Sequence, residues 1–210
     1  LQLKPTLDLG KRAQYQRPHL NGDSIALLQY TGGTTGVSKG AILTHRNLLA
    51  NLLQVETWLR PIERVKPIKQ WNFLCALPLY HIFAFTGCGL LGMRLGAKII
   101  LVPNARDVPN LVGILKAFPE INFFPGVNTL FQALLNNADF AKLDFSQWVL
   151  TIGGGMAVQK SVADRWKALT GVAIAEGYGL SETAPVACCN TPLIEAFTGG
   201  IGYPLSDTEL

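Results

Sequence analysis

Charge is scarce in this chain. Asp, Glu, Lys and Arg make up 15% of the 210 residues, and the net balance is only +4. With 49% of residues apolar, disorder is excluded and a sizeable core is expected. So mild and dispersed a positive balance also argues against a nucleic-acid-binding stripe. Cysteine is sparse too: Cys75, Cys88, Cys188 and Cys189 show no paired C-x-x-C spacing and read as buried free thiols of a reducing cytosol. No basic, then apolar, then small-residue succession of an export signal is seen, and Leu1 lies in a polar, Pro-containing stretch. The expectation is a cytoplasmic protein whose own N-terminus lies further upstream.

Acidic and basic residues are missing altogether from residues 71–93, a stretch long enough to cross a bilayer. Pro78, His81, Gly87, Gly89 and Gly92 interrupt it, so a buried strand, a turn and a separate helix are expected there instead of a span. Just before it, Arg60, Arg64, Lys66 and Lys69 crowd a Pro-flanked segment. That segment reads as a solvated loop, with a membrane-surface or CoA-phosphate contact as the rival reading.

What is abundant is alternation. Residues 1–23 are polar and Pro-punctuated and read as a linker, and a first strand follows over 24–30. Thr44 is the expected N-cap of a helix running to about Trp58, with Leu48, Leu49, Leu52 and Leu53 as its apolar stripe. Strands at 73–77, 98–102, 121–124, 148–152 and 172–176 then alternate with helices at 83–95, 108–118, 129–136 and 158–169. This pattern predicts an α/β fold, a mostly parallel sheet flanked by helices. Three strand exits are glycine-rich, at Gly32-Gly33, Gly153-Gly154-Gly155 and Gly177-x-Gly179. Ligands of open parallel sheets gather at such carboxyl ends, so these are three walls of one expected site.

The richest motif is Tyr30-Thr31-Gly32-Gly33-Thr34-Thr35-Gly36-Val37-Ser38-Lys39-Gly40, with four glycines, three threonines, a serine and a lysine in eleven positions. Glycines allow successive backbone N–H groups to point inward, hydroxyls add neutral donors, and Lys39 adds a mobile cation, which together suit phosphates. A Walker A loop requires Gly-Lys-Ser/Thr, whereas Lys39 here follows Ser38 and precedes Gly40. A second cluster, Tyr178-Gly179-Leu180-Ser181-Glu182, offers an aromatic face, a hydroxyl and a carboxylate on one turn. These suit a purine, a phosphate and a magnesium ion. His81, at the end of a buried strand, is either a satisfied core histidine or a polar group of the site.

These residues resemble the signature of the acyl-adenylate-forming (AMP-binding) enzymes, most of all the bacterial long-chain fatty-acid CoA ligases. The likeness continues through Leu77-Pro78-Leu79-Tyr80-His81, Gly126-Val127-Asn128-Thr129-Leu130-Phe131, Gly153-Gly154-Gly155-Met156 and Glu176-Gly177-Tyr178-Gly179-Leu180-Ser181-Glu182-Thr183. Two departures are small: Ser38 stands where many members have proline, and Ser181 where many have threonine. The resemblance implies that residues 24–210 are the central part of the AMP-binding N-terminal domain of an acyl-CoA synthetase. The upstream part, the ribose-binding aspartate and the C-terminal domain with its catalytic lysine are then expected outside the chain, so the fragment alone should be weak or inactive.

The resemblance further implies ATP, Mg²⁺ and coenzyme A as cofactors or co-substrates. Nucleotide contacts fall on Thr31, Gly32, Gly33, Thr34, Thr35, Gly36, Lys39, Gly154, Gly155, Glu176, Gly177, Tyr178, Gly179 and Ser181. Metal contacts fall on Glu182 and Thr31, and catalytic roles on Lys39, His81 and Glu182. The chemistry it implies is attack of a fatty carboxylate on the α-phosphorus of ATP to give acyl-AMP, then thiolysis by coenzyme A, with positioning and charge neutralisation as the protein's work. No acid follows His81 where an amino-acid-activating relative would hold an ammonium group. Phe83, Phe85, Phe124, Val127, Leu130 and Phe131 are candidates for an apolar channel, or simply core. Transfer to a carrier protein or another acceptor, a noncatalytic nucleotide-binding module, peripheral membrane association and a homodimer of the full-length protein all stay open.

Overall fold

The computed structural model describes residues 2–31 and 39–210. Within the expected linker, α1 (Leu3–Gly10) is a short helix that buries none of its residues. A two-stranded antiparallel sheet follows, in which β1 (Ile25–Thr31) pairs with β2 (Lys39–Thr44). Its register places Thr31 opposite Lys39, so the two strands close the base of the glycine loop. The second strand was not legible because its apolar residues are too few to alternate.

Thr44 caps α2 (His45–Val65) as expected, in a reciprocal box with Asn47. Two details differ from expectation. The helix continues past Trp58, through Pro61, so Arg60 and Arg64 ride its last turns as exposed side chains and are not in a loop. Its buried stripe is Leu48, Asn51, Leu52, Val55, Leu59 and Ile62, whereas Leu49 and Leu53 are half exposed. At 3.6 residues per turn Leu49 and Leu53 each stand about 100° round from Leu48 and Leu52, outside the stripe that reaches the sheet.

The apolar stretch divides as predicted. It forms β3 (Asn72–Cys75), a turn, and a helical run of α3 (Ile82–Ala84), a π-helix (Phe85–Leu90) and α4 (Leu91–Arg94). Among the described residues no helix is long and apolar enough to cross a membrane. Then come β4 (Lys98–Leu101), α5 (Val108–Ala117), β5 (Phe123–Gly126), α6 (Asn128–Leu135), β6 (Leu150–Gly153), α7 (Lys160–Thr170), β7 (Ile174–Gly179), β8 (Val186–Cys189) and β9 (Tyr203–Pro204). The sheet order is β4-β3-β5-β6-β7-β8-β9. The first five strands are mutually parallel, and β8 and β9 each pair antiparallel with the strand before, so the fold is α/β with a mostly parallel sheet flanked by helices.

Neighbouring residues of each strand serve opposite faces, as the period of two requires. Leu74, Phe124 and Ile174 pack with α5, α6 and α7, while Phe73, Phe123 and Ala175 pack with α2 and α4. Both faces are covered, which explains why the strands read as continuous apolar runs. All four cysteines are free and buried, in line with the expectation.

Candidate functional site

The carboxyl edge of the sheet opens on one cavity of about 330 Å³. Thr31, at the end of β1, reaches it from one side. His81 reaches it from the turn after β3, where its Nδ1 accepts the Phe83 N–H at 3.2 Å and caps α3. An acceptor at Nδ1 puts the proton of a neutral ring on Nε2, which leaves an N–H to meet an anion. Gln29 ties β1 to this turn by donating to the Tyr80 carbonyl at 3.1 Å.

The turn after β6 supplies Gly154 and Gly155. The Phe83 ring lies so close to Gly154 that a Cβ there would stand 3.1 Å from Cε1, so glycine is what lets ring and backbone meet. Beyond β7, Gly179 has a stricter requirement: a Cβ would fall 2.0 Å from the Pro185 carbonyl oxygen. The Leu180 N–H donates to that same oxygen at 3.0 Å and to Thr183 Oγ1 at 2.9 Å. This tight turn holds Ser181 and Glu182 at the mouth, with Tyr178 on the rim.

Nine of the residues singled out from the sequence thus line one cavity: Thr31, His81, Gly154, Gly155, Gly177, Tyr178, Gly179, Ser181 and Glu182. Lys39 does not line it; it sits exposed at the start of β2, and its carbonyl accepts from Thr31 Oγ1 at 3.3 Å. Glu176 does not line it either. Its side chain is buried beneath the site, where Oε1 accepts the Val158 N–H at 3.0 Å and Oε2 has no partner among the described residues. Gly32, Gly33, Thr34, Thr35 and Gly36 lie outside the described residues.

Behind the polar mouth the wall is apolar, and sequence reasoning missed most of it. Val55 and Trp58 from α2, Leu91, Phe123, Ile152, Val186, Cys189 and Leu205 form most of it, with Thr86 as a buried hydroxyl among them. Helix α2 is fixed here by three hydrogen bonds to β8 and the residue that follows it. Asn51, buried, donates to the Val186 carbonyl at 2.7 Å and accepts the Val186 N–H at 3.1 Å, and Trp58 Nε1 donates to the Asn190 carbonyl at 2.9 Å. An asparagine inside a leucine stripe was the one available signal, since a buried amide needs partners. Of the candidate channel residues, Phe83 lines both this cavity and a second, wider concavity of about 1210 Å³, which Val127 and Leu130 also line. Phe124 and Phe131 are fully buried in the core, and Phe85 is half-buried against Leu43, Leu48 and Ile82.

Burial pushes the Cys189 thiol up to about 12. Because the thiolate is the reacting form, iodoacetamide should label Cys189 in the folded protein roughly a thousandfold more slowly at pH 8 than an ordinary thiol. Peptide mapping after timed labelling checks this, and a rate matching that of the denatured chain would contradict the buried placement.

Among the described residues no group of three His, Cys, Asp or Glu side chains gathers to hold a metal. One carboxylate, Glu182, shares the cavity with the hydroxyls of Thr31 and Ser181 at its mouth. This sparse oxygen set fits magnesium held chiefly by substrate phosphates, which takes one or two carboxylates and keeps its waters.

A family model described as AMP-binding enzyme matches residues 2–210. Two relatives named long-chain-fatty-acid–CoA ligase align over 209 residues: one from Salmonella typhimurium at 49% identity and one from Escherichia coli O6:H1 at 50%. Each alignment takes in 100% of this chain but 36% of the relative, so the chain spans about a third of those proteins. Among solved structures, ATP-bound MatB from Rhodopseudomonas palustris superposes with a TM-score of 0.70 at 27% identity, over 88% of this chain and 35% of that one.

Proposed function

The chain belongs to the AMP-binding enzyme family, and from that premise we propose that it is the central part of a ligase that activates a long-chain fatty acid with ATP and passes the acyl group to coenzyme A. One observation carries the reading: polar groups from four separate segments meet at the mouth of a single cavity whose remaining wall is apolar but for Thr86. A fatty acyl adenylate has this same division, a charged phosphoester at one end and an uninterrupted hydrocarbon at the other. The long-chain-fatty-acid–CoA ligase name of the relatives near 50% identity supports the substrate class.

In this reading Tyr178 packs on the adenine, the backbone of Gly154, Gly155 and Gly177 approaches the nucleotide, and Thr31 and Ser181 donate to phosphate oxygens. Lys39 and residues 32–36 belong by motif to the contacts of the ATP phosphates. Magnesium, when bound by Glu182 and Thr31, supplies positive charge against the phosphate oxygens. His81 directs Nε2–H toward the acid's carboxylate, and the apolar wall draws the hydrocarbon out of water at about 0.8 kcal/mol per methylene. The protein needs no nucleophile of its own: holding two anions in line and neutralising them is the catalytic task. Glu176 acts from below, fixing through Val158 the turn that carries Gly154 and Gly155.

The test is ATP–pyrophosphate exchange by the full-length protein across acids of rising chain length, with and without coenzyme A. Exchange that needs a fatty acid, with acyl-CoA formed only when the thiol is present, is the expected result. No exchange with any acid would overturn the reading, and acyl-AMP that coenzyme A never consumes would redirect it to a carrier protein or another acceptor.

A further inference from the structure

The proposed reading leaves open what sets the length of the acyl chain, and the geometry of α2 against β8 answers it. Asn51 clamps the helix to Val186 near the mouth, and Trp58 clamps it to Asn190 beyond Cys189. Seven residues of helix separate Asn51 from Trp58, about 10 Å at 1.5 Å per residue. Four residues of strand separate Val186 from Asn190, about 13 Å at 3.3 Å per residue. The two measures agree, so helix and strand run side by side along the apolar wall. Trp58 and Cys189 lie at its far end, while Leu205, whose N–H donates to the Ala187 carbonyl at 2.9 Å, lines the wall nearer Val186.

An extended hydrocarbon advances roughly 1.3 Å per carbon, given C–C bonds of about 1.5 Å. The run from the Val186 level to the Trp58 level therefore takes about eight to ten carbons in line. Resting on the acyl-activation reading, we propose that Trp58 is a specificity-determining residue: its indole is the end wall of the acyl channel, and longer chains bind only by displacing it from the Asn190 carbonyl. The wall is bulky enough to block a chain and is held by a single hydrogen bond, worth about 1 kcal/mol net. A hydrocarbon that gains about 0.8 kcal/mol for each further methylene buried can outweigh that bond within a few carbons.

The experiment compares kcat/KM for a sixteen-carbon and an eight-carbon acid in the full-length protein and its Trp58→Ala and Trp58→Phe variants. Trp58→Ala opens the end wall and should raise the ratio of long to short by about tenfold or more, through KM, because a single methylene's fit in a pocket is worth a factor of this order. Trp58→Phe keeps a ring but loses the Nε1 donor, and should raise the ratio by about two- to threefold. It also decides the matter if the alanine variant does not fold. An unchanged ratio in a folded variant, with exchange intact in the wild type, overturns the end-wall assignment alone. Absence of exchange with every acid in the wild type removes the activation reading and this inference with it.

Discussion

Glu182→Gln in the full-length protein should lower ATP–pyrophosphate exchange by about 10²- to 10³-fold, the usual loss when one preorganised electrostatic group is removed from a transition state. The reason is the scarcity of alternatives. Of the described residues that line the cavity, Glu182 is the one carboxylate, and no cluster of acids stands by to replace it. The substitution keeps size and hydrogen-bonding capacity, so the turn that Leu180, Thr183 and Pro185 build is undisturbed and the fold is retained. The loss should fall on kcat more than on the KM for the fatty acid, and raising magnesium should recover part of it. Near-normal exchange in the folded variant would remove Glu182 from the reaction. A loss that appears only in fatty-acid KM would place it at the acyl end of the cavity instead.

The sequence disclosed the site better than it disclosed the walls, for a physical reason. Glycine turns, a capping threonine and a run of hydroxyls are local requirements: Gly179 is there because a Cβ would strike the Pro185 carbonyl, and Thr44 because the helix start has unpaired N–H groups. Such demands leave a residue-type mark at the position itself. Trp58 and Leu205 leave none, because they join the site only through tertiary contact between segments about 150 residues apart, and in sequence each is one more apolar residue. The same limit misplaced the stripe of α2. Leu49 and Leu53 are as apolar as Leu48 and Leu52, and only the position of the sheet decides which pair is buried.

Glu176 shows a different kind of limit. Its place beside Gly177 and Tyr178 puts it with the ligand-facing residues, yet alternation along β7 turns Glu176 to the side opposite its neighbour Gly177. The carboxylate goes under the turn, to the Val158 N–H, and Gly177 lines the cavity. Motif membership assigned the segment to the site, and the period of two decided which of its side chains supports the wall from behind.

The second large effect belongs to the other face of the sheet. Trp166→Ala should destabilise the protein by about 3–5 kcal/mol, the range for deleting a fully buried large aromatic. Trp166 is wholly buried on α7. Its ring lies 4.8 Å from Phe131, 5.5 Å from Phe140, 5.6 Å from Trp148 and 5.7 Å from Phe124, centroid to centroid. Its Nε1 donates to Thr151 Oγ1 at 3.3 Å, so truncation also strands a hydroxyl that has no access to water. Because Thr151 belongs to β6, one residue away from Ile152 in the cavity wall, the damage should reach the site as well as the fold. Urea unfolding of the full-length protein, followed by tryptophan fluorescence and circular dichroism, measures it. Trp166→Phe, which keeps the ring contacts but loses the donor, should cost about 1–2 kcal/mol. Equal losses in the two variants would mean that the hydrogen bond to Thr151, and not the aromatic packing, holds α7 to the sheet.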